Sequence, residues 1–403
     1  MESRMSPKTT LNFLNLGHFF DHFFLLIFPT AVIAIERDWQ LDYGAALALG
    51  TPIYVAFALG TLPAGWLGDR WRREWLVAML FIGCGASSVL AALSNGPLLL
   101  MISFAAMGLF ASIYHPVGLS MVTQMSDRPG RALAVNGVYG NMGLAGATLL
   151  TGFLAEAFGW RSAFLLPGLI SIGVGVAYLS MTRRAAAGGQ KNPEKVTQPV
   201  VPATRNTQIR VFAVILVAAL FGGAVFNGVS ISLPKLFEER LADITSDLSV
   251  IGSYTALVFA VAAFAQLPVG DLLDRFGAKP ILLSLLVFQV AALTLVSTTS
   301  GLLVVPAALF LVLLMFAELP VTGWLMGRYV PQAWRSRAFA VQYVFSLGMS
   351  SAIVPLIAGL HSLGYGFDSQ YLFLAVSAAI VLVSAAMLPS WRRTSPETAA
   401  AAE

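Results

Sequence analysis

The sequence predicts an all-α integral membrane protein of twelve transmembrane helices, arranged as two six-helix pseudo-symmetric halves. Three observations lead there: long uninterrupted apolar blocks, a one-sided distribution of basic residues, and an internal repeat with an offset close to 205 residues.

Of the 403 residues, 57% are hydrophobic and 11% charged, against roughly 25% charged in soluble globular proteins. So few charges leave a water-facing surface uncovered. The apolar blocks run to about 20 residues or more, the length that crosses a hydrocarbon core ~30 Å thick at 1.5 Å per residue. A membrane barrel would show segments of ~10 residues alternating apolar and polar, and none is sustained here, so helices are the spanning element. The single cysteine, Cys84, has no partner for an intrachain disulfide. The pI near 9.3 comes from basic residues scattered over short loops, which speaks against a nucleic-acid surface.

Apolar runs bounded by charges, Gly and Pro place helices at 11–35, 43–67, 74–93, 97–124, 132–157 and 162–180, then at 209–236, 247–272, 279–298, 302–326, 335–360 and 369–390. With both termini cytoplasmic, 20 of the 24 Lys and Arg fall on that side, leaving Arg37, Arg161, Lys235 and Arg240 on the other. One helix too many or too few would destroy this bias, so helix count and orientation support each other. Residues 1–180 form the first half, 181–208 a polar cytoplasmic linker rich in Pro, Gly and Ala, 209–391 the second half, and 392–403 a disordered tail.

The halves repeat one another. Residues 62–70 (LPAGWLGDR) return as 267–275 (LPVGDLLDR), 131–136 (RALAVN) as 337–342 (RAFAVQ), and His115-Pro116-Val117 aligns with Leu319-Pro320-Val321. In parallel repeats of this kind, substrate sites lie between the halves near the midplane.

The segment Gly65-Trp66-Leu67-Gly68-Asp69-Arg70-Trp71-Arg72-Arg73 resembles the G-x-L-x-D-R-x-x-R/K loop signature of the major facilitator superfamily. Its second copy is Gly270-Asp271-Leu272-Leu273-Asp274-Arg275, continuing to Lys279, and Phe158-Gly159-Trp160-Arg161 resembles the turn before that family's sixth helix. Tyr114-His115-Pro116 and Gly140-Asn141-Met142-Gly143 are similar to segments of the fosmidomycin-resistance-like drug exporters. The resemblance implies the major facilitator fold, transport by alternating access, and a cavity lined by the first, fourth, seventh and tenth helices. It also implies gating by Gly65, Asp69, Arg70 and Arg73, with Asp127 as a partner for the arginines, and by Gly270, Asp274 and Arg275 in the second copy.

Ionisable groups at depth are expected in three helices: His18, Asp21 and His22 in the first, His115 in the fourth and Glu318 in the tenth. All five lie about 10–16 Å from the cytoplasmic helix ends, where a charge costs at least ~2.5–3.5 kcal/mol. His18, Asp21 and His22 share a helical face with Asn15, and a carboxylate between imidazoles exchanges protons near neutral pH. These five are the proton-coupling candidates. Candidate substrate contacts are Asn15, Tyr114, Asn136, Tyr139, Asn141, Asn227, Ser230, Tyr254, Gln342 and Tyr343.

The leading expectation is therefore a proton-coupled exporter of a small organic or amphipathic solute, a monomer in a bacterial inner membrane that needs no cofactor. Two alternatives stand beside it: a transition-metal or metal-chelate transporter using His18, Asp21 and His22 as ligands, and an intramembrane enzyme or non-transporting sensor. No phosphate-binding loop is present, so energy must come from gradients.

Overall fold

The structure, a computed structural model, describes residues 6–125, 129–185 and 204–390. Among them are twelve helices long and apolar enough to cross a membrane. They are α1 (Pro7–Trp39), α2 (Tyr43–Gly68), α3 (Arg73–Ala92), α4 (Pro97–Gln124), α5 (Pro129–Phe158) and α6 (Trp160–Ala185). The second half contributes α7 (Arg205–Arg240), α8 (Leu248–Phe276), α9 (Ala278–Thr298), α10 (Gly301–Tyr329), α11 (Gln332–Ser362) and α12 (Phe367–Ala385). Helix α6 continues to Ala185 and α7 begins at Arg205, so both enter the segment expected as linker; its remainder and Asp127 lie outside the described residues.

Each half is assembled alike. In the first, α1 packs on α5, α3 on α6 and α2 on α4; in the second, α7 packs on α11, α9 on α12 and α8 on α10. The halves meet along α5 with α8 and α2 with α11. These seams use small residues, since the hydrophobic effect does not pull helices together in lipid and close backbone approach must do so. Gly152 of α5 and Gly252 of α8 face each other so tightly that a Cβ on either would strike the other helix's backbone. Gly143 of α5 lies directly against the carbonyl of Phe19 on α1.

The two signature loops lie at one end of the bundle, together with the start of α1. At the opposite, far end, Gly159 takes the left-handed φ of 81° that lets α5 stop and α6 begin. The next two residues fasten helix ends: Trp160 Nε1 and Arg161 donate to Asp38 Oδ2 at 3.0 and 3.3 Å, and Arg161 also donates to the Ser94 carbonyl at 3.2 Å. The turn therefore ties α1 and α3 to α6.

Both repeat copies of the x-Pro-Val segment interrupt their helices. Pro116 offers no N–H, and Tyr114–Gly118 forms a π-helical turn within α4. In α10 the helix breaks at Glu318, between segments Val304–Ala317 and Leu319–Tyr329, next to Pro320.

Candidate functional site

Four of the five expected titratable groups converge where α1, α4 and α5 meet. The Asp21 side chain is fully enclosed, with Oδ2 3.3 Å from His115 Nε2 and 4.0 Å from His22 Nε2. The helical spacing i, i+3, i+4 places His18, Asp21 and His22 on one face of α1, and the π-helical turn of α4 presents His115 to that face. The His18 ring lies 4.7 Å from that of His22 and 5.4 Å from that of His115. His22 and His115 keep 16% and 12% of their side-chain surface accessible, so a solute or ion arriving between the halves reaches imidazole before it reaches the carboxylate. The ring of Tyr343, from α11 of the other half, stands 5.8 Å from His115. The cluster thus lies at the junction between the halves.

A second tier of hydrogen bonds holds the cluster. His18 stacks on Tyr114 with ring centroids 4.7 Å apart, and its Nδ1 donates to the Asn136 carbonyl at 2.8 Å. Tyr114 donates its hydroxyl hydrogen to the Leu14 carbonyl at 2.8 Å and accepts from Asn136 Nδ2 at 2.8 Å, while Asn15 Oδ1 accepts from Asn136 Nδ2 at 2.9 Å. Asn15, Tyr114 and Asn136 thereby bond α1, α4 and α5 to one another and position the histidines. Gly140 is the matching vacancy on α5: a Cβ there would come within 2.7 Å of the His18 ring. Tyr114→Phe should therefore take one hydrogen bond each from the Leu14 carbonyl and the Asn136 amide, which keep their other partners, and destabilise the protein by about 1 kcal/mol. A lowered thermal unfolding midpoint in detergent would record this, and an unchanged midpoint would contradict it.

Glu318 is not part of this cluster. It accepts a hydrogen bond at 3.1 Å from Gln289 Nε2 on α9, inside the second half. Equal depth in the sequence says nothing about which side of its helix a residue occupies, and α9 supplies the buried amide that Glu318 faces. Among the remaining candidates, Asn227 bonds its own helix at the Gly223 carbonyl, and Tyr254 is half-buried. Asn141 Nδ2, Ser230 Oγ and Gln342 Oε1 are buried atoms without a hydrogen-bond partner. Tyr139 is exposed.

The signature loops bind within their own halves. Arg73 donates to the Gly68 carbonyl at 3.0 Å and to Gln124 Oε1, at the end of α4, at 2.9 Å, and it approaches Asp69 at 4.0 Å. Arg70 stacks over Trp66, and a Cβ at Gly65 would meet Pro116 of α4 at an ordinary 3.5 Å, so the helix approach there does not require glycine. In the second copy, Asp274 Oδ1 accepts from Trp324 Nε1 at 2.9 Å and Arg328 at 3.0 Å, both on α10; Arg275 and Gly270 make no comparable bridge among the described residues. The first loop thus ties the second and third helices of its half to the fourth, and the second ties the eighth helix to the tenth.

One charged group escaped the sequence reading. At the far end, Lys235 of α7 pairs with Glu36 of α1 and, at 2.7 Å, with Glu238, while Arg37 donates to Glu238 at 2.7 Å. Lys235, Glu36 and Glu238 are only 8%, 12% and 16% exposed, so this bridge between the halves is largely out of water. Nearby, Glu156 of α5 accepts the backbone N–H of Leu248 on α8 at 2.8 Å, and Tyr43 of α2 packs against His361 of α11. The far end is closed across both seams and by the pairing of α1 with α7. The available signal was the dipeptide Glu36-Arg37, which returns as Glu239-Arg240 at nearly the offset of the other repeats.

A duplicated twelve-helix bundle with titratable groups at its internal junction defines a multi-pass membrane transporter. The family model of the Major Facilitator Superfamily matches residues 14–243 and 237–403, and the chain belongs to that superfamily. Relatives include a putative metabolite transport protein of Haemophilus influenzae, 25% identical and covering 93% of each chain. The 4-hydroxybenzoate transporter PcaK of Pseudomonas aeruginosa is 25% identical over 88% of this chain and 86% of its own. The multidrug resistance protein MdtG of Escherichia coli is 25% identical over 90% and 89%. Among solved structures, an inward-facing, unoccupied bacterial homologue of the lysosomal transporter Spinster superposes with a TM-score of 0.73 at 16% identity, covering 97% of this chain and 100% of that one. A D-xylose–proton symporter gives 0.72 at 15% identity, covering 94% and 98%. The chain is a secondary transporter of small molecules, and the enzyme alternative falls away.

Proposed function

We propose that this transporter exports a small organic or amphipathic solute in exchange for protons, with Asp21 and the surrounding histidines as the coupling centre. The observation that carries the proposal is the wholly enclosed Asp21 carboxylate, in contact with His115 and near His22, at the boundary between the halves. A carboxyl held away from water either carries a proton or needs a positive charge beside it, and the imidazoles beside Asp21 relay a proton to and from the accessible side of the cluster. Solute contacts are supplied across the junction by Tyr343, Gln342, Asn141, Ser230 and Tyr254. The similarity of the His115-Pro116 and Gly140–Gly143 segments to fosmidomycin-resistance-like exporters, and the relative named as a multidrug resistance protein, support export. That relative also agrees with a bacterial inner membrane.

The basic-residue bias assigns the signature loops to the cytoplasm, which makes the closed far end the outer one and the arrangement an inward-facing one. In it Arg73 and Asp274 of the signature loops bond to residues of their own halves, and Asp69 is largely exposed and free to engage the opposite half when the bundle rocks. Asp69→Asn is expected to slow the conformational cycle without changing equilibrium solute affinity. Stopped-flow tryptophan fluorescence beside equilibrium binding separates these, and an affinity loss at an unaltered rate would contradict the gating role.

Reconstitution into liposomes with an imposed pH gradient, screened with aromatic acids and amphipathic cations, tests the proposal. At least one compound should accumulate only when the gradient is present. Equal movement of every compound with and without the gradient would overturn it.

A further inference from the structure

We infer that His18, His22 and His115, supported by Asp21, form a binding site for a late first-row divalent transition-metal cation of the cobalt, nickel or zinc kind. One ring nitrogen of each histidine lies within 4.8 Å of the others. A tetrahedral ion with metal–nitrogen bonds of about 2.0–2.1 Å holds its ligand atoms about 3.3 Å apart. The three rings therefore need to close by about an ångström each, a movement within the reach of side-chain torsions on helices already in contact.

The unsatisfied atoms point independently to the same ligand. The Asn136 carbonyl can only accept, so His18 Nδ1 carries the hydrogen and Nε2 presents its lone pair. That Nε2 is buried and has no hydrogen-bond partner, and the same holds for His115 Nδ1 and Asp21 Oδ1. A histidine whose far nitrogen is fixed on a backbone carbonyl, leaving the near one free, is the arrangement that orients metal ligands. Three imidazoles with a carboxylate suit late transition metals and not calcium or magnesium, which take oxygen. Cys84, the one thiol, directs its sulfur towards the Met107 carbonyl and takes no part. His22 and His115 provide the entry, since both remain partly accessible.

The inference shares its residues with the proposed coupling centre but does not rest on proton exchange, because metal binding is read at equilibrium with no gradient and no solute. Protein purified through a tag without histidine is dialysed against Co2+ and its visible absorption recorded. Wild type should bind one Co2+ per chain, with the intensified absorption of a low-coordinate site. His18→Gln, His22→Gln and His115→Gln should each weaken binding at least 10-fold, the scale seen even for second-shell changes at metal sites. The chain's fourth histidine, His361, lies at the far end beside Tyr43, and His361→Gln should leave binding unchanged. His22 makes no hydrogen bond among the described residues, which makes His22→Gln the variant least dependent on refolding. Absence of a saturable one-per-chain site in folded wild type overturns the inference, as does wild-type affinity in folded His22→Gln or an equal loss in His361→Gln. Solute transport measured on the same preparations stands or falls separately.

Discussion

Asp21→Asn is expected to abolish gradient-driven accumulation of solute while leaving exchange of labelled for unlabelled solute intact. Asparagine preserves the volume of the side chain, so the packing of α1 against α4 and α5 survives. What disappears is, among the described residues, the one carboxylate that touches the histidine cluster. Exchange at equal pH needs the solute site and the rocking motion but no net proton movement, whereas accumulation requires that occupancy by proton and by solute be linked. Proteoliposome accumulation at wild-type level under a pH gradient would remove Asp21 from the mechanism.

Lys235→Met should produce the second large effect, on the conformational equilibrium. Lysine is the cation that lets Glu36 of α1 and Glu238 of α7 lie side by side. Deleting one member of a buried ion pair typically costs about 3–5 kcal/mol because the remaining charges are left unpaired. Here that penalty falls only on the arrangement in which the far end is closed, since opening would return both glutamates to water; Arg37 retains part of the attraction to Glu238. The population should therefore move towards the open far end by two orders of magnitude or more. Spin labels at Asp42→Cys and Leu363→Cys, exposed positions on opposite halves at that end, would report it by pulsed electron resonance. A distribution shifted to longer distance is expected, and one unchanged from wild type would show that the bridge does not hold the closure.

Much of the fold was legible because lipid imposes a simple rule. A helix must be long and apolar to cross, and all twelve spans predicted from apolar runs coincide with observed helices to within a few residues at most ends. Exceptions follow from helices that outrun the membrane: α7 continues to Arg240 and α6 to Ala185, since polar residues extend a helix beyond the hydrocarbon without penalty. The α1 cluster was legible too, because i, i+3 and i+4 spacing dictates a shared face whatever surrounds it. The partner from α4 emerged from depth counting together with the family's cavity helices, and the structure places His115 against Asp21. The same reasoning grouped Glu318 with the others, yet rotation about the helix axis is set by packing, and Glu318 faces Gln289. Asn136 and Tyr114 looked like solute contacts as polar residues in apolar runs. Their groups instead bond α1, α4 and α5 together, a use that polarity alone does not distinguish from binding. The far-end bridge was missed for a different reason: charges near helix ends read as loop residues until two halves are brought together.

The most direct test of the coupling centre is to follow protons themselves. Wild-type protein sealed in liposomes with a pH-reporting dye inside, and no gradient imposed, is given an inward gradient of a transported solute. Exchange for protons predicts that the lumen turns alkaline as solute enters, in step with the amount transported. Solute entry by the folded protein with no change in lumenal pH would contradict the account.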